Sequence, residues 1–294
     1  MPGDDHNPAA ARGDQEVLVS PGYLAGPGDR DAEAAFADFL NEDQGWARYS
    51  CHGGDVSVAI SECLTGRIQL DHENGDRDSR WTVAGYDSPV GERSWRAAFD
   101  QETPYEVALA VAEEYSRALS YTHPVVREEA LWGLRNTRDS LLEQLRSSGW
   151  LDVGSPDAMS FRSPDGTAGL IRWDGGAFYE EPNGQDHPAD VTLWVRPPEM
   201  FPRNAWTAQF SQATPTRLIT AALDHLTDPR SQVRRLAEVP AAHLGLVELR
   251  PRNAPVRTLA ATARTAVADR PAARASTVPP VMRAAAPRPA RRTN

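Results

Sequence analysis

The chain has 294 residues, 40% of them hydrophobic, which suits about two domains with real cores; no run approaches the roughly 18 apolar residues of a membrane-spanning helix. Cys51 and Cys63 are its only cysteines, which argues against a disulfide scaffold. The formal charge of −10 is uneven: residues 250–294 hold ten arginines and one acid, Asp269, for +9, leaving −19 on residues 1–249. Every basic residue is arginine, as a GC-rich coding sequence produces.

Residues 1–15 are polar and rich in Gly, Pro and Asp, so disorder is expected. They lack the basic and apolar stretches of a secretory signal, which sets the cytoplasm as the expected location. "EVLVS" (16–20) reads as a short strand ended by the turn cluster "PGYLAGPGD". "DAEAAFADFL" (31–40) has helical spacing, with Asp31 as N-cap and Gly45-Trp46 closing the segment. Four strand-like runs follow, "VSVAIS" (56–61), "RIQLDHE" (67–73), "RWTVAGY" (80–86) and "SWRAAFD" (94–100). "TPYEVALAVAEEYSRAL" (103–119) is a helix with Thr103 at the N-cap, Pro104 at N1 and Glu106 closing a capping box. Val107, Val111, Tyr115 and Leu119 form its apolar stripe.

Residues 124–148 read as a helical linker running up to Gly149-Trp150. A second set of strands follows, "AMSFRS" (158–163), "TAGLIRW" (167–173), "DVTLWVR" (190–196) and "AWTAQFS" (205–211), closed by the helix "TPTRLITAALDHL" (214–226). From about 240 the chain becomes rich in Ala, Pro and Arg; residues 255–268 could form a short helix and the rest is expected to be a disordered basic tail.

The phrase Trp-x-Ala-x-Phe-x-Gln-x-Thr-Pro occurs twice, at 95–104 and 206–215, an offset of 111 that carries Val107, Val111 and Tyr115 onto Leu218, Ala222 and Leu226. Trp46 matches Trp150, Gly66 with Leu70 matches Gly166 with Leu170, and Trp81 is paired approximately with Trp194. The expected fold is therefore α+β: two tandem repeats, each of about four antiparallel strands packed by a C-terminal helix (α-β-β-β-β-α), plus the tail. The boundaries are a disordered 1–15, a first repeat at 16–121, a helical linker and lead-in helix at 122–148, a second repeat at 149–240 and a mostly disordered tail at 241–294. Within the phrase, Trp95, Ala97 and Phe99 fall on one strand face and Thr103-Pro104 starts the covering helix; Trp206, Ala208, Phe210, Thr214 and Pro215 repeat this. Duplicated aromatics favour a core signature (Trp46, Trp95, Phe99, Trp150, Trp206, Phe210) over a platform that stacks bases.

"VLVSPGYLAGPGD" (17–29), the paired Gly-Trp signatures, "SPDG" (163–166) and "AWTAQFSQATPTRLITAALDHL" together resemble the SPDY domain family, domain of unknown function 317, of actinobacteria. The resemblance covers about residues 16–230 and implies a two-copy protein. The first copy has "SECLTG" (61–66) where the second has "SPDG", so the signature turn has decayed there. The family has no established activity, so the resemblance implies no catalytic residues.

Cys51, His52, Cys63 and His72 lie close in sequence, but their spacings match no zinc pattern, and neither a metal nor another cofactor is expected. No nucleophile-elbow, phosphate-loop or dinucleotide motif is present. "SPDG" reads as a β-turn with Pro164 at i+1 and Gly166 at i+3. A non-enzymatic binding or regulatory module is expected, its acidic body favouring protein partners with basic patches. The alternative is a nucleic-acid-associated protein that uses a sheet surface and tail arginines such as Arg283, Arg288, Arg291 and Arg292. An enzyme with an unrecognised site ranks last.

Overall fold

Ile68 and Leu70 are fully buried while Arg67 beside them is exposed, and the same alternation runs through the strands that the sequence pattern predicts. The computed structural model describes residues 14–42, 45–73, 79–133, 138–155, 158–173, 189–196, 206–228 and 230–252. All lie in one unit, residues 1–253; the second unit, 254–294, falls outside the described residues, as do the helix considered at 255–268 and the tail arginines.

The protein is α+β, built on a large antiparallel sheet with five described α-helices. Strand β1 (Glu16–Ser20) and helix α1 (Asp29–Glu42) come first. Strands β2 (Trp46–Cys51), β3 (Val56–Ser61), β4 (Gly66–Asp71), β5 (Trp81–Tyr86) and β6 (Arg93–Phe99) lead to helix α2 (Tyr105–Leu119). The linker holds α3 (Pro124–Trp132) and α4 (Arg138–Ser147). Strands β7 (Leu151–Asp152), β8 (Ala158–Arg162), β9 (Ala168–Trp173), β10 (Ala189–Val195) and β11 (Trp206–Ser211) lead to α5 (Thr216–Thr227), followed by β12 (Gln232–Arg235) and β13 (Glu248–Pro251).

Ten of these strands form one sheet in the order β2-β3-β4-β5-β6-β11-β10-β9-β8-β7. The expected four strands per repeat become five. Of the six residues in β2 only Trp46 is buried, so "WARYSC" shows no alternation to read. Strand β7 is two residues long. Helices α2 and α5 pack against each other, and α1 and α4 pack on α2 and α5 respectively. Their apolar stripes and the inward residues of the sheet share one core, which includes Phe36, Trp81, Val111, Leu145, Leu193 and Leu218.

Strand β1 does not join this sheet. It is the middle strand of a second sheet, β12-β1-β13, so both ends of the described chain meet there. Val17, Val19, Ala25 and Val239 form its small core. Residues 232–251 carry no strand pattern in the sequence, because these short strands have few inward-facing residues. Arg234 fastens this sheet to the body. Its side chain is fully buried, pairs with both carboxylate oxygens of Glu106 at 2.6 Å, donates to the Gly26 carbonyl and lies over the Tyr105 ring. Gly28 sits against this stack with φ +66; a Cβ there would be 2.9 Å from the Tyr105 ring and 3.0 Å from Arg234 Cζ.

Register corrects three residue equivalences and two caps. Pairing of Ile68 with Val83 and of Leu170 with Leu193 makes Ile68 the counterpart of Leu170, so the Gly66/Leu70 to Gly166/Leu170 match slips by two residues and Gly66 corresponds to Ala168. Trp194, opposite Thr207, corresponds to Ala84, opposite Arg96; Trp81 corresponds instead to Val191. Asp31 lies inside the first turn of α1, which starts at Asp29. At α2 the N-cap position falls to Pro104 with no side-chain cap, and the expected capping box is absent: the Thr103 hydroxyl and the Glu106 carboxylate are engaged elsewhere.

Candidate functional site

The repeated phrase lies at the centre of the ten-stranded sheet, where β6 and β11 pair. Ala98 faces Gln209, Phe99 faces Ala208 and Ala97 faces Phe210. Residues 98 and 209 are the same position of the phrase, so a pseudo-two-fold passes between them. The contacts obey it: the Thr103 hydroxyl donates to the Thr207 carbonyl, and the Thr214 hydroxyl to the Arg96 carbonyl, each at 3.2 Å. The Thr207 N–H donates to Asp100, and the Arg96 N–H to the Ser211 hydroxyl. Such a self-complementary patch is what a two-fold interface requires, here within one chain. Burial raises the Asp100 carboxyl above its ordinary range, against hydrogen bonds from Thr103 and Thr207 that favour the carboxylate.

The signature residues lie in this scaffold. Trp46, Trp95, Phe99, Thr103, Trp150, Trp206, Phe210 and Thr214 are all buried, while Pro104 and Pro215 immediately precede α2 and α5. Trp46 donates to Ser116, and Trp206 to the Tyr23 carbonyl. "SPDG" forms its turn, with the Gly166 N–H donating to the Ser163 carbonyl. Asp165 accepts from Ser163, from the Thr167 N–H and from the Tyr23 hydroxyl at 2.8 Å, so the turn holds the N-terminal segment. Burial acts to raise the Asp165 carboxyl, but these hydrogen bonds bring it below its ordinary value.

The Cys/His group does not assemble. Cys51 closes β2 opposite Val56, whereas Cys63 follows the other end of β3, where Ser61 faces Trp46. His72 instead meets Ser57 at 3.1 Å and Glu33 at 3.2 Å. Burial acts to raise the Cys63 thiol, but hydrogen bonding with Ser61 and Thr65 brings it below its usual value. The His52 side chain lies outside the described residues, and among those described no cluster of His, Cys, Asp or Glu could hold a metal ion. Arg283, Arg288, Arg291 and Arg292 fall outside the described residues.

The alternative reading expects a sheet surface without assigning any residues to it; those residues are what sequence reasoning missed. The helices cover one face; on the other, Gln209 at the pseudo-two-fold is exposed, as are Arg67 and Arg162. A row crosses each half there. In the first half it runs Ile60-Arg67-Ala84-Arg96, and in the second Arg162-Gly169-Trp194-Thr207. Arg162 reaches across Gly169 to the Trp194 ring, Cζ to centroid 6.0 Å, and Arg196 approaches the same ring at 5.4 Å. Gly169 makes this contact possible, since a Cβ there would meet the indole at 2.2 Å. In the first half Arg67 stacks on Tyr86 at 5.0 Å. Arg67 and Arg162 have no carboxylate partner among the described residues, and the Trp194 indole N–H has no acceptor there. Strand alternation placed Arg67 and Arg162 outward, but no local pattern pairs them with rings on neighbouring strands.

Among the described residues no helix is long and apolar enough to cross a membrane. No curated protein and no solved structure matches the chain. The family model SPDY, a domain of unknown function (DUF317), matches residues 65–118 and 162–232. Each match runs from an inner strand through the central strand to the helix that follows, so the reciprocal contact lies within matched segments. Two separate segments of the chain thus match the SPDY (DUF317) family model, consistent with a two-copy SPDY domain protein.

Proposed function

We propose that this chain is a non-enzymatic binding module: two copies of one α+β unit, fused about a pseudo-two-fold, present the sheet face opposite the described helices to an anionic partner. The observation that carries this reading is the placement of Arg67, Arg162 and Arg196 against aromatic rings on that face. The body as a whole is strongly acidic, so a cationic surface within it is local and directs anions to one place. Composition alone favours basic protein partners; the arginines of the open face favour an acidic protein segment or a nucleic acid instead. Guanidinium groups suit both, because they bind carboxylate and phosphate in bidentate geometry.

The test is retention of the full chain on immobilised phosphate groups, eluted with salt. Arg67→Ala/Arg162→Ala/Arg196→Ala should elute earlier than wild type. It should also do so in a background where Arg283, Arg288, Arg291 and Arg292 are alanine. Co-elution of the face variant with its parent in that background would overturn the reading.

A further inference from the structure

The two cation–ring stacks are not copies of each other. Tyr86 corresponds to Arg196, Ala84 to Trp194 and Gly169 to Arg67, yet each half still places arginine on an aromatic ring. The stacks flank Gln209 on one surface; β5 and β10 are three strand spacings apart, about 14 Å.

We propose that the ligand of this face is a single-stranded nucleic acid lying across the pseudo-two-fold. This rests on the open face being the recognition surface. An acidic peptide would use the guanidinium charges alone. A single strand uses charge and planar stacking together: phosphates meet the arginines, while unstacked bases lie on the guanidinium planes of Arg67 and Arg162, which the half-buried Tyr86 and the buried Trp194 ring hold in place. The exposed amide of Gln209 supplies both a donor and an acceptor for a base edge. A sheet face from which, among the described residues, no helix or ribbon protrudes reaches the bases of a splayed strand but not the edges in a duplex groove. The negative body confines the strand to this surface.

The experiment measures fluorescence anisotropy of a labelled oligothymidylate of about 15 nucleotides with the full chain at two salt concentrations. A duplex of equal length and an oligoglutamate peptide are run in parallel. The oligonucleotide should bind more tightly than the duplex. Arg67→Ala/Arg162→Ala should weaken it by about tenfold or more and flatten the salt dependence by about 0.7 for each phosphate that is no longer neutralised. Arg127→Ala/Arg146→Ala, on the helix side, should leave both unchanged. Unfolding midpoints check each variant, and Arg67→Gln/Arg162→Gln replaces a variant that fails to fold. Equal binding by the face variant, tighter duplex binding or loss of binding only on removing tail arginines overturns the proposal. If oligoglutamate binds through the face and the oligonucleotide does not, the ligand class falls and the recognition surface stands. If neither binds, both fall.

Discussion

Phe99 and Phe210 occupy the same position of a phrase written twice, and their rings meet edge to face with centroids 5.9 Å apart. Both are fully buried. The recurrence thus builds two complementary halves of one contact. Truncating either ring should cost about 3–5 kcal/mol. Because the rings touch, the double variant Phe99→Ala/Phe210→Ala should depart from additivity by about 0.5–1.5 kcal/mol in urea unfolding. Strict additivity would mean that the rings do not interact.

Thr103 offers a sharper test of the same contact. A helix N-cap tolerates aspartate, so Thr103→Asp would be nearly neutral if Thr103 capped α2. Here its hydroxyl donates across the pseudo-two-fold to Thr207 and sits 2.9 Å from Asp100. Thr103→Asp should therefore destabilise more than Thr103→Val, whose loss should be about 1 kcal/mol. Chemical denaturation of the two variants decides between the roles.

The Arg234–Glu106 pair predicts a different pattern. Removing Glu106 leaves a fully buried guanidinium without its carboxylate, so Glu106→Ala should cost about 3–5 kcal/mol. Arg234→Met/Glu106→Leu should recover most of that loss. A double variant as unstable as Glu106→Ala would show that the ion pair is worth more than its packing volume.

Tyr23 and Asp165 give stability opposite pH limbs. Burial pushes the Tyr23 and Tyr115 phenols well above their ordinary value. The folded chain therefore keeps protons that the unfolded chain loses above about pH 10, and stability falls as pH rises through that point, by about 1.4 kcal/mol per unit for each group. Tyrosinate absorbance from these two should appear only with loss of near-ultraviolet circular dichroism. The depressed Asp165 carboxyl acts at the other end: its contribution is present above the unfolded value near 4 and is lost as pH falls through the folded one. Asp165→Asn should flatten the acid limb of the unfolding midpoint.

The sequence by itself determined the α+β class, eight of the strands in the large sheet and the helices, because alternation and helical spacing are local consequences of burying one face. It also determined that the phrase at 95–104 recurs at 206–215 and belongs to the core. Strand β2 escaped because an edge strand with one buried residue has no pattern. Strands β12 and β13 escaped because each is four residues long with few inward-facing positions. The capping box at Thr103 was a sound local reading that a nonlocal acceptor overrode. Only tertiary structure decided that the two phrases meet each other, since register between β6 and β11 is set by side chains distant in sequence. It alone set Arg67 on Tyr86 and Arg162 on Trp194, because cross-strand neighbours are fixed by pairing rather than by spacing along the chain.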